Sequence, residues 1–156
     1  RSTLFPYTTL FRSSTEYDTL IPLSHFDQAA DLGVNGAIRQ VDDKVVEKYK
    51  VSNRVLSPYV SCEGRNYLGM GGKLYELNLP SQKPYPLQSK TCAMLTKEVK
   101  LPQFVGDPGG TIYHLKNGTL HPIRSWQKFV DLNKENLPIV KISYITVGLL
   151  AKGELI

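Results

Sequence analysis

The feature that most constrains the fold is internal. When the chain is slid by 100 residues, Thr19-Leu20-Ile21-Pro22-Leu23 lies over Thr119-Leu120-His121-Pro122-Ile123. The match continues with Phe26 on Trp126, Ala30 on Val130, Asp31 on Asp131 and Leu32 on Leu132. After one inserted residue Ile38 falls on Ile139, Val41 on Ile142, Asp42 on Ser143, Val46 on Val147 and Tyr49 on Leu150. A more divergent copy lies between them. Gly72-Lys73-Leu74-Tyr75-Glu76-Leu77 resembles Gly110-Thr111-Ile112-Tyr113-His114-Leu115, and Tyr85-Pro86-Leu87-Gln88-Ser89 resembles His121-Pro122-Ile123-Arg124-Ser125. The expected organisation is therefore three units, 14–56, 57–105 and 106–156. Short units of this kind bury little alone and must pack on one another.

The last unit shows what each one should build. Thr111–Lys116 and Thr119–Ile123 flank Asn117-Gly118, the strongest short hairpin signal, because a type I′ turn needs positive φ at both central residues. A two-residue loop pairs Leu115 with Leu120, His114 with His121 and Ile112 with Ile123. Pro122 lacks an N–H and suits a strand end. Ser125 is placed to cap a helix over Trp126–Leu132. Ile139–Ile142 is extended, and Ser143 caps a second helix that Gly148 and Gly153 weaken and end. In the first unit Asp42 is the matching cap. The predicted class is α+β: tandem units, each a hairpin, a short helix, a short strand and a second short helix.

Residues 1–13, RSTLFPYTTLFRS, fit none of this. A signal peptide needs an unbroken apolar run and a small-residue cleavage site, whereas Pro6, Thr8 and Thr9 interrupt this one and Arg12 follows. Turned back into codons, the stretch reads as a short-read sequencing adapter in one frame. It is expected to be a translated artefact standing where the first strand of the first unit belongs, with enough β-propensity to occupy that place. Arg1 and Arg12 also supply two of the five net positive charges. The remainder is too small and scattered to argue for nucleic acid. No apolar run reaches the roughly 20 residues of a membrane helix.

Few residues invite chemistry. Cys62 and Cys92 are the only cysteines; with no Cys-x-x-Cys they suggest a disulfide in an oxidising compartment, the alternative being two buried thiols of a cytosolic protein. Tyr75, Tyr85, Tyr113 and Trp126, together with Tyr67, form an aromatic set that could stack on sugar rings; packing between repeated units is the competing explanation. His114 and His121 face each other across the hairpin and are weak metal candidates without a third ligand. Gly69-Met70-Gly71-Gly72 lacks the lysine and the helix of a phosphate loop and reads as a turn before a hairpin. Asn117-Gly118-Thr119 is a glycosylation sequon that the turn already explains. Asp27, Asp31, Asp42 and Asp43 read as carboxylates of helix starts and solvated surfaces. No catalytic set and no cofactor emerge.

Residues 110–129, Gly-Thr-Ile-Tyr-His-Leu-Lys-Asn-Gly-Thr-Leu-His-Pro-Ile-Arg-Ser-Trp-Gln-Lys-Phe, resemble a repeat of exported actinobacterial cell-surface and cell-wall proteins. Cys62 with Gly64, Tyr67 and Gly71–Tyr75 looks like a variant of that repeat in which a cysteine pair staples the hairpin. The resemblance implies an extracellular or wall-associated, non-catalytic module with cell-wall polysaccharide or peptidoglycan as partner. Two alternatives stand beside it: an accessory piece of a wall hydrolase whose catalytic domain lies elsewhere, and a purely structural stalk or docking module.

Overall fold

A computed structural model describes residues 7–8, 19–34 and 43–156 of the chain. Its strands form three sheets in succession along the sequence. In the first, β1 (Tyr7–Thr8) runs antiparallel to β2 (Thr19–Pro22). Helices α1 (Phe26–Asp31) and α2 (Asp43–Val46) follow, and β3 (Lys50–Val51) returns parallel to β2. Tyr7 pairs with Pro22 as Tyr113 pairs with Pro122 further on. Residues 7 and 8 thus take the place expected of the opening peptide; its other residues, and the expected cap Asp42, lie outside the described residues.

The middle sheet comprises β4 (Tyr59–Cys62), β5 (Arg65–Met70), β6 (Lys73–Glu76), β7 (Tyr85–Pro86) and, after α3 (Ser89–Met94), β8 (Lys97–Glu98). The last comprises β9 (Phe104–Gly106), β10 (Ile112–Lys116) and β11 (Thr119–Pro122), then α4 (Trp126–Leu132), β12 (Ile139–Lys141), α5 (Tyr144–Leu149) and β13 (Ala151–Lys152). The two sheets have one plan. A three-stranded meander is flanked by a strand parallel to its first member, β7 or β12, and by a strand parallel to its third, β8 or β13.

Local chemistry explains the elements. Asn117 and Gly118 have φ of 51° and 75°, and the registers Leu115↔Leu120 and His114↔His121 follow from that turn. Ser125 Oγ accepts from the Lys128 amide at 3.2 Å, and Ser143 Oγ from the Thr146 amide at 3.2 Å. Both act as the predicted N-caps.

Three expectations are corrected. Gly71 and Gly72, with φ of 57° and 85°, are the turn inside the β5–β6 hairpin rather than a turn before one. Lys73–Glu76 is consequently a second hairpin strand, and its topological equivalent is Thr119–Pro122, not Ile112–Leu115. Each five-stranded sheet also has an opening strand and a closing strand beyond the predicted unit, the middle unit has the single helix α3 in place of the two predicted, and β9 crosses the boundary expected at 105/106.

The middle sheet is buried on both faces, so its residues alternate between two cores. Tyr59, Leu68, Met70 and Tyr75 pack with Val105, Tyr113, Leu115, Leu120, Val147 and Leu150 of the last unit. Val60, Cys62, Tyr67 and Leu74 pack with Leu23, Ala29, Leu32 and Leu56. This period-two alternation is what a strand between two apolar layers must show. Cys62 and Cys92 form a disulfide, Cα atoms 5.7 Å apart, which ties β4 to α3 across the second core.

Candidate functional site on the outer face of the last sheet

The first layer's helix, the middle hairpin and the last unit's α5 meet at one point. The Gly72 amide donates to the Asp31 carbonyl at 3.2 Å. A Cβ on Gly33 would collide with the Gly72 carbonyl oxygen, and one on Gly71 would lie 2.6 Å from Val140 Cγ1. The glycine-rich tip is therefore built for close backbone approach rather than for phosphate.

Asp31 sits at this junction and corrects the expectation that it is a solvated carboxylate. It is 4% exposed. Its Oδ2 accepts from the Ser143 amide at 3.1 Å, the Ser143 hydroxyl at 2.6 Å and the Thr146 hydroxyl at 2.6 Å. Burial raises its pKa above the ordinary 3.8, against the lowering effect of the Ser143, Thr146 and Gly71 donors. Every bond runs to this chain's own groups, which makes the site a clamp between layers.

The four proposed aromatic contacts separate in the structure. Tyr75, Tyr85 and Tyr113, like Tyr67, are buried in the two cores. A ring packed between sheets offers no face to a sugar, so these tyrosines are corrected to core residues. Trp126, the single tryptophan, is 67% exposed. It stands on the first turn of α4, positioned by the Ser125 cap. Its ring lies 5.0 Å from that of Phe129, which meets Phe104 edge-on at 5.1 Å; Phe104 in turn stacks on His114 at 5.4 Å. Val130 and Leu132 extend the exposed apolar surface. Gln127 donates to Asp131 at 3.0 Å beside them. The result is a rigid aromatic ladder with one open face and a polar margin. Phe104 carries no such signal in the sequence, because its contact with Phe129 depends on α4 folding back over the sheet.

His114 and His121 are direct partners on this same outer face. Burial lowers the His114 pKa, with the charges of His121 and Lys116 acting in the same direction. The His121 Nδ1 lies 3.3 Å from the Glu154 carbonyl oxygen. Among the described residues no three His, Cys, Asp or Glu side chains gather as a metal site would need. Nor is any described helix long and apolar enough to cross a membrane.

No family model matches the chain, and no curated protein matches it in sequence. Among solved structures it is similar to a chain of the periplasmic assembly from the ESX-5 inner membrane complex, at 8% identity and a TM-score of 0.30. The alignment covers 88% of this chain and 62% of that one, so this chain spans less than two thirds of that protein's length. A likeness at that level carries no argument about fold or activity.

Proposed function

We propose that the chain is a non-catalytic module of an exported bacterial protein, made of tandem units, that binds cell-wall polysaccharide through Trp126. The observation that carries the reading is the single tryptophan, open to solvent on a base of packed rings. An exposed indole on a rigid base offers an apolar face to the C–H face of a sugar, with Gln127 and Asp131 beside it for hydroxyl groups. The disulfide supports an oxidising compartment. The shared plan of the middle and last sheets supports a reiterated unit.

The test is retention of the purified chain on peptidoglycan and on wall polysaccharide, measured against an inert resin. Trp126→Ala is expected to weaken retention by about tenfold, equivalent to about 1.4 kcal/mol. Its effect on folding should stay within about 1 kcal/mol, since most of the ring is already in water. Equal retention by wall and resin would end the reading.

A further inference from the structure

We propose that the last unit is the cap of the stack: its outer face takes no further unit of the same kind. The inference rests on the tandem-unit reading above and deepens it, because a face that stacking does not consume stays open to a ligand.

The residues are compared position by position through the strand registers. In the middle sheet Tyr59 pairs with Leu68 and Leu68 with Tyr75, and the hairpin ends at Met70↔Lys73. In the last sheet Phe104 pairs with His114 and His114 with His121, and the hairpin ends at Lys116↔Thr119. Leu68, Met70 and Tyr75 therefore occupy the places of His114, Lys116 and His121. In the middle sheet this row forms the core against the next layer. In the last sheet it is two imidazoles and an ammonium. Burying it under another apolar sheet would strip water from the Lys116 ammonium and the His114 imidazole with no partner in that sheet to replace it.

The position after Leu20 shows the same change. Ile21 packs against the core below the middle sheet, while its counterpart after Leu120 is His121.

The helix end closes the second half of the interface. The middle hairpin seats on the first layer because Gly33, at φ 83°, leaves room for the Gly72 carbonyl. The residue at the matching place after α4 is Asn133, with φ −94°. Its side chain accepts from the Leu137 amide at 2.7 Å and donates to the Leu137 carbonyl at 2.9 Å, locking the loop that follows. A hairpin tip arriving as Gly72 does would meet a side chain where the first layer offers none. The strand row and the helix end of this face are polar and self-satisfied, as the terminal unit of a stack requires, while Trp126, Val130 and Leu132 of α4 stay apolar and exposed beside them.

The test extends the whole chain by a copy of residues 102–156 joined directly after Ile156. That junction gives the added Phe104 strand the same spacing from Lys152 that Phe104 has from Lys97. Hydrogen exchange is then read over residues 126–133. The expected result is no change in protection there, and unchanged acrylamide quenching of Trp126 with the added copy carrying Trp126→Phe. A rise in protection of about tenfold or more would overturn the proposal. As a positive arm, the same extension is made with Asn133→Gly, His114→Leu, Lys116→Met and His121→Tyr in the original unit, which should raise that protection. If the added copy gains no protection of its own even there, the tandem reading falls and the cap with it. In that event wall retention by the unextended chain still decides the binding role separately.

Discussion

Replacing Asp31 with alanine tests the layered architecture most directly. The carboxylate oxygen Oδ2 takes three donors from the start of α5, a segment more than 100 residues away in sequence. Hydrogen bonds to a charged group contribute about 1.5–3 kcal/mol each, and stranded buried donors cost about 1–3 kcal/mol. The full sum is not realised. Burying the carboxylate is itself unfavourable, and Ser143 Oγ keeps its bond from the Thr146 amide. The net loss expected for Asp31→Ala is about 2–4 kcal/mol, a large share of the roughly 5–15 kcal/mol typical of a domain. Urea unfolding followed by circular dichroism measures it as a lower midpoint at unchanged slope. Hydrogen exchange should find residues 143–147 opening first. A loss below about 0.5 kcal/mol, the size of an ordinary surface substitution, would refute the clamp. The pH dependence provides a second readout. Because burial raises the folded-state pKa, the folded form binds this proton more tightly than the unfolded chain. The contribution is fully present below the unfolded value near 3.8 and is lost as pH rises through the higher folded value. Asp31→Asn should remove that fall in stability above pH 3.8 while leaving the rest of the profile unchanged.

Removing the Cys62–Cys92 link by a double alanine substitution frees a loop of 30 residues. It should lower stability by about 3.5 kcal/mol from chain entropy, read as a reduced urea midpoint. Two glycines with nearly the same φ should respond differently to alanine. Gly64, at φ 80° with nothing within 4 Å of where the added methyl would stand, should lose only the strain of about 1 kcal/mol. Gly33→Ala adds a collision with the Gly72 backbone and should cost at least about 2 kcal/mol more, measured by the same unfolding titration.

Local signals were legible wherever a short stretch decides its own geometry. Asn117-Gly118 specified a turn and, through it, the pairing of His114 with His121. Ser125 and Ser143 specified helix starts to the residue. Weaker turns were missed. Glu63-Gly64 makes a hairpin tip with Glu63 at φ 52°, but glutamate carries none of the preference for positive φ that marks asparagine. The short flanking strands β7, β8 and β13 also had no readable pattern, whereas β12 was legible as the extended run Ile139–Ile142. Two residues cannot display a period, and the hydrogen-bond partners of these strands are distant in the chain.

The apolar alternation, the caps, the Asn-Gly turn and the paired cysteines belong to the sequence by itself, since each acts over a few neighbouring residues or depends on composition alone. Only the tertiary structure decided which apolar side chains would be enclosed. Tyr75 and Tyr113 look alike to Trp126 as exposed aromatics in a one-dimensional reading, yet a neighbouring sheet covers the first two and leaves the third in water. Asp31 and Asp131 occupy matching places at the ends of α1 and α4. The first is buried under the donors of Ser143 and Thr146, while the second pairs with Gln127 at the surface. Burial is a property of what packs opposite, and no residue's own chemistry contains it.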